Sequence, residues 1–160
     1  YEQWLQNFKD GLAIKQNSRQ MRLDVTLTLP GLLDVKNLFR LSKQLNVDML
    51  TKVIFTFSPD IVLSPLALPR ELLNKIVDEL LEFVEPRADQ NQQSLIDVLQ
   101  QLKKRPTIAE IWPDQYEQKL QEGKIYQEDI ARLRQDYKKT TLEKILMQDE
   151  RLIDWWDNLG

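Results

Sequence analysis

The chain has 160 residues, 42% of them hydrophobic, enough for one core and hardly two. Its 22 basic and 25 acidic residues leave a net charge of −3, so no global positive field gathers nucleic acid or an anionic membrane, and neither is expected as a partner. With no Cys and no His, thiol nucleophiles, thiolate or imidazole metal ligands, iron–sulfur cysteines and Ser-His-Asp triads are excluded within these residues.

Any chemistry done by this chain alone must therefore use Asp, Glu, Lys, Tyr or Ser. Tyr1, Trp4, Leu5 and Phe8 fall at i, i+3, i+4 and i+7, the stripe of an amphipathic helix already under way at the first residue. Gly11 is expected to end it, since glycine suits the left-handed C-cap. A chain that opens on Tyr1 within a helix reads as a segment of something longer. It shows neither a long apolar span nor a charged-then-apolar leader, so a cytoplasmic location is expected.

Residues 22–29, "RLDVTLTL", alternate strictly, with Leu23, Val25, Leu27 and Leu29 on one side and Arg22, Asp24, Thr26 and Thr28 on the other. This pattern predicts a strand with one apolar and one polar face. "PG" at 30 and 31 should stop it, with Asp34 as N-cap of a helix that carries Val35, Leu38, Phe39 and Leu45 and closes at Asn46. Residues 52–58, "KVIFTFS", predict a second strand. Strand, helix, strand at this spacing implies parallel pairing through a crossover.

Pro59, Pro65 and Pro69 crowd the segment that follows, and Pro69 opens a helix bearing Leu72, Leu73, Ile76, Val77, Leu80, Leu81 and Val84 to about Glu85. Two roles are open for this rigid segment. It holds its shape beside a ligand at the carboxyl ends of the strands, or Ile61, Val62, Leu63, Leu66 and Leu68 plug that end. "EPRADQNQQ" reads as a linker. Beyond it only helices are expected, headed by Ser94 with Asp97, Thr107 with Glu110, and Thr140 with Glu143, each shaped as a capping box. The domain reading is thus residues 1–85 as an α/β unit, 86–93 as linker and 94–160 as a helical extension. Trp155 and Trp156 in the closing "LIDWWDNLG" are expected to dock on a neighbour or on the remainder of the protein.

Two parallel strands are not a finished sheet. In a layered sheet both strand faces pack on helices, whereas in an α/β barrel the inward face can line a cavity, so the polar face of residues 22–29 favours an arc of barrel over the edge of an open sheet. Among other candidates, Asp24 and Lys52 could pair across inward positions, Asp60 could meet a ligand amine or serve its own turn, and Arg70 at a helix start invites an anion. The basic clusters at 103–106 and at Arg132, Arg134, Lys138 and Lys139 are interleaved with acids and read as solvated helix faces.

The run "LTLPGLLDVKNLFRLSKQLNVDMLTKVIFTFSPDIVLSPLALPRELLNKIVDELL", with "QSLIDVLQQLKKRPTIAEIWPDQY" and the closing "LIDWW", resembles the C-terminal part of the radical S-adenosylmethionine proteins described as twitch-domain-containing. The resemblance covers the chain from about Gly11 onward and includes no catalytic signature. It implies a partial TIM-type barrel of six parallel strands, of which residues 22–29 and 52–58 would be the last two. In that family a C-x-x-x-C-x-x-C motif near the first strand binds a 4Fe–4S cluster that cleaves S-adenosylmethionine to a 5′-deoxyadenosyl radical. This chain holds no cysteine for that cluster or for an auxiliary one, so neither cofactor is expected on the segment alone. The resemblance further places Thr28, Thr56, Phe57 and Ser58 beside the nucleoside of S-adenosylmethionine, by strand position only. It makes the N-terminal barrel half a partner and leaves a protein or peptide substrate open. The rival expectation is a non-enzymatic interaction module that uses the helical tail and the terminal tryptophans.

Overall fold

A computed structural model describes residues 2–16, 21–54, 58–134 and 141–159. The molecule is mostly helical around a small parallel sheet. In chain order, α1 is Glu2–Ile14, β1 Leu23–Leu27, α2 Leu29–Leu45, β2 Met49–Val53, α3 Arg70–Val84, α4 Gln93–Lys104, α5 Ile108–Ile111, α6 Tyr116–Leu133, α7 Leu142–Leu146 and α8 Glu150–Asp157. Helix α1 runs through Gly11 to Ile14 instead of stopping there. A Cβ on Gly11 would stand 2.8 Å from Met21 Cε, the movable end of a flexible side chain.

The strict alternation of residues 22–29 is realised over Leu23–Leu27, with Leu23, Val25 and Leu27 buried and Asp24 and Thr26 exposed. The next helix begins six residues earlier than the Asp34 expectation. Thr28 is its N-cap, with Oγ1 accepting from Gly31 N–H at 3.0 Å, and Pro30 lies in the first turn, where its missing N–H costs nothing. "PG" thus opens a helix, and Asp34 sits inside it, bonded to Asn37. Asn46 closes α2 in the left-handed region at φ 49°, as its position suggested.

The second strand is Met49–Val53, three residues earlier than 52–58 at its start, and residues 55–57 lie outside the described ones. It pairs parallel with β1, Leu23 opposite Met49 and Leu27 opposite Val53, as the strand-helix-strand spacing implied. In this register Met49 and Thr51 join the core beside Leu23, Val25 and Leu27. On the opposite face Asp24, Thr26, Leu50 and Lys52 are exposed, and no helix among the described residues is laid over them.

Behind the apolar face α2 packs on β1 and α4 on β2, and α3 packs against both of those helices. Segment 86–93 forms two short 3-10 turns with Gln92 fully buried. Gln92 Nε2 donates to Ser42 Oγ (2.8 Å), which donates to the Val47 carbonyl (2.7 Å), while Gln92 Oε1 accepts from Asp89 N–H (3.1 Å). Buried side chains from residues 23–84 and 95–156 belong to one continuous cluster.

Beyond α4 the described residues are helical or irregular, as expected. Ser94 lies inside α4 and does not cap it; the reciprocal cap belongs to Asp89 and Gln92 one turn earlier. Glu110 Oε2 accepts from Thr107 N–H at 2.7 Å, in keeping with the box read there. Thr140 is outside the described residues, and Thr141 is the residue that caps α7, through Lys144 N–H. The two terminal tryptophans are buried within the chain itself, at 8% and 2% exposure, which corrects their assignment as outward anchors. Lys124 lies over the Trp156 ring and donates to its carbonyl, and Arg151 ties α8 to Glu79 on α3. Among the described residues no helix is long and apolar enough to cross a membrane.

Candidate functional site

Of the expected cofactor positions, Thr28 and Ser58 are among the described residues. The Thr28 hydroxyl is committed to capping α2, and Ser58 stands in an exposed turn before Pro59. Thr56 and Phe57 lie outside the described residues. Asp24 and Lys52 do not pair. Asp24 faces Leu50 across the ladder and bonds Arg22 at 2.7 Å, while Lys52 is opposite Thr26.

The proline segment is packed into the chain's own core. Ile61, Val62, Leu66 and Leu68 are buried and Leu63 is half-buried, with the 3-10 turn Asp60–Leu63 packed under α6. The fit is tight at Gly123 of α6, where a Cβ would lie 2.9 Å from Val62 Cγ1 and 3.0 Å from the Pro59 carbonyl oxygen. Asp60 accepts from Gln127 Nε2 at 3.2 Å, an internal tie to α6.

Arg70 does find an anion, and it is internal. The guanidinium forks onto the Glu110 carboxylate and also donates to the carbonyls of Lys103 (2.9 Å) and Arg105 (2.5 Å). Sequence reading saw the cation at the start of α3 and the cap at Glu110, yet nothing local joins residues 40 apart. The guanidinium, with the Thr107 N–H second, holds the Glu110 carboxyl down at about 2.

Sequence reading missed a groove of about 600 Å³ between the start of α3, α6 and α8. Pro69, Leu72 and Leu159 give it an apolar lining, and Tyr116, Glu117, Gln121, Trp155 and Asn158 bring polar groups. Its size is within the range of small-molecule sites. The Trp155 indole nitrogen is buried beside the Tyr116 hydroxyl. That hydroxyl donates to the Ala67 carbonyl at 2.7 Å, and burial pushes the phenol above its ordinary range. The only sequence signal was the tryptophan pair, whose second member fills the core while the first lines the groove.

Among the described residues no group of three or more carboxylates could hold a metal ion. Compared with known proteins, the chain matches no family model, no curated protein and no solved structure.

Proposed function

We propose that the chain is the C-terminal part of a radical S-adenosylmethionine protein, forming the closing arc of its barrel followed by a helical extension. The observation that carries this reading is the parallel β1–α2–β2 unit whose Asp24, Thr26, Leu50 and Lys52 face is left without a helix layer. A doubly wound sheet covers both faces, whereas a barrel strand keeps one face for the interior. The sequence resemblance supplies the family. In that arrangement Asp24, Thr26 and Lys52 wall the interior, and the carboxyl end of β2 borders the cofactor.

The cluster cysteines then belong to a preceding segment, and this chain contributes enclosure and shape. The plug formed by Ile61, Val62, Leu66 and Leu68 keeps water from the strand ends on its side. The test is the complete coding sequence and its protein. A cysteine triplet spaced C-x-x-x-C-x-x-C should lie upstream, and the anaerobically reconstituted, reduced full-length protein should release 5′-deoxyadenosine from S-adenosylmethionine. A full-length protein lacking the triplet, or one that loads a cluster and releases none, overturns the reading.

A further inference from the structure

Phe83, near the end of α3, carries three cations over its ring. Lys36 Nζ stands 5.4 Å from the ring centre, Arg40 Cζ 5.1 Å and Arg87 Cζ 4.9 Å, so all three charges fall within one sphere of 5.4 Å radius. Lys36 and Arg40 are one turn apart on α2, and Arg87 belongs to the 3-10 turn that follows α3. The ring is fixed edge-on by Phe39 at 5.8 Å and by the packing of α2 on α3. Lys36 is half-buried, and Arg40 and Arg87 are exposed.

An aromatic ring attracts each cation but leaves its charge uncancelled. Among the described residues no carboxylate comes within ion-pair distance of any of the three. Other cations that join elements here do have one: Lys43, one turn further along α2, pairs with Asp89, Arg70 with Glu110, Lys103 with Asp78 and Arg151 with Glu79. Two carboxylates near Phe83 on the chain are already engaged, Glu79 by Arg151 and Glu85 by Gln100. Within the described residues Arg40 Nη1 donates to Asn37 at 3.0 Å and Arg87 Nη1 to the Phe83 carbonyl at 2.7 Å. The remaining N–H groups of both guanidiniums and the Lys36 ammonium stay open to an acceptor from outside.

We propose that Lys36, Arg40 and Arg87 bind the dianionic phosphate group of a small phosphate monoester. Guanidinium forks match phosphate oxygens, the ammonium adds a point charge, and a dianion offsets more of the three charges than a carboxylate does. Glu79, Glu82 and Glu85 lie along the same stretch of chain and repel an extended polyanion such as a nucleic acid. The site uses no residue of the sheet, so it stands apart from the barrel reading and survives that reading's failure.

The test titrates the 160-residue chain by calorimetry at low salt and about pH 8, above the second ionisation of a phosphate ester near 6. Phenyl phosphate should bind saturably and roughly tenfold more tightly than benzenesulfonate, which has the same ring and a single negative charge. Inorganic phosphate should bind within severalfold of phenyl phosphate, because the cations recognise the group and not the ester. Arg40→Gln and Arg87→Gln, both at exposed positions, should each weaken phenyl phosphate severalfold. Lys9→Gln, an exposed cation on α1, should leave it unchanged. Thermal melts that match the parent chain establish that the variants fold. No saturable binding of phenyl phosphate up to about 10 mM, equal affinity for benzenesulfonate, full affinity in both arginine variants, or an equal loss in Lys9→Gln overturns the assignment.

Discussion

Arg70 shows how one side chain can do work its sequence position does not suggest. A cation in the first turn opposes the helix dipole, but this one is turned away from the helix start onto Glu110 and onto two carbonyls at the end of α4. Removing it by Arg70→Ala leaves those carbonyls and the carboxylate without their donor and should lower stability by roughly 1–3 kcal/mol in urea unfolding. The pH dependence has a definite sign. Glu110 is held below its unfolded value of 4.5, so its contribution is complete above that pH and is lost as pH falls towards about 2. Glu110→Gln should therefore flatten the acid limb of a stability profile between those two values, and an unchanged limb would show that the clamp does not operate in solution. From the sequence alone Arg70 invited an anion and Glu110 looked like a cap. Their meeting depends on the α3–α4 packing, which periodicity does not encode.

At the scale of elements, the strand of alternating residues and the apolar stripes of α3 and α4 were legible because burial imposes periods of 2 and 3.6 on the sequence. The start of α2 was misread because Pro-Gly is both a strand stop and an acceptable first helical turn, and only the Thr28 hydroxyl on Gly31 N–H decides between them. Thr28→Ala should accordingly cost about 1 kcal/mol in thermal or denaturant unfolding. Thr28→Ser, which keeps an accepting oxygen, should cost much less. Gly123 makes the opposite case. Alanine is preferred in a helix by about 1 kcal/mol, but here a Cβ meets the Pro59 carbonyl oxygen and Val62. Gly123→Ala should destabilise by roughly 1–3 kcal/mol, with the 3-10 turn Asp60–Leu63 displaced from α6, and a gain in melting temperature would refute the tight fit. Helix α6 carries few buried side chains, so nothing in its hydrophobic pattern announced that it rests on a glycine.

For the whole molecule, the sequence conveyed a parallel pair of strands with one polar face, but not how the helical half joins it. Segment 86–93 reads as a linker by composition. Its Gln92 is nevertheless buried in a hydrogen-bonded chain with Ser42 and Val47, and Lys43 pairs with Asp89 across the same junction. Polar residues that satisfy one another inside look the same in a sequence as polar residues facing water. The burial of Trp155 and Trp156 was illegible for a related reason, since the surface that receives them is assembled from α3 and α6, distant in the chain.

The two margins of the sheet differ in a way that gives it a direction of growth. Along the outer margin of β2, the Thr51 N–H is already taken by the Ser94 hydroxyl at 2.9 Å. Along the outer margin of β1, the register turns the N–H and C=O groups of Asp24 and Thr26 outward, and no hydrogen bond within the described residues reaches them. Amide exchange followed by NMR should find Asp24 and Thr26 fast and Val25 and Leu27 protected, and equal protection would mean that this margin is occupied. A strand added along β1 would meet open N–H and C=O groups, whereas along β2 the Thr51 amide is already engaged.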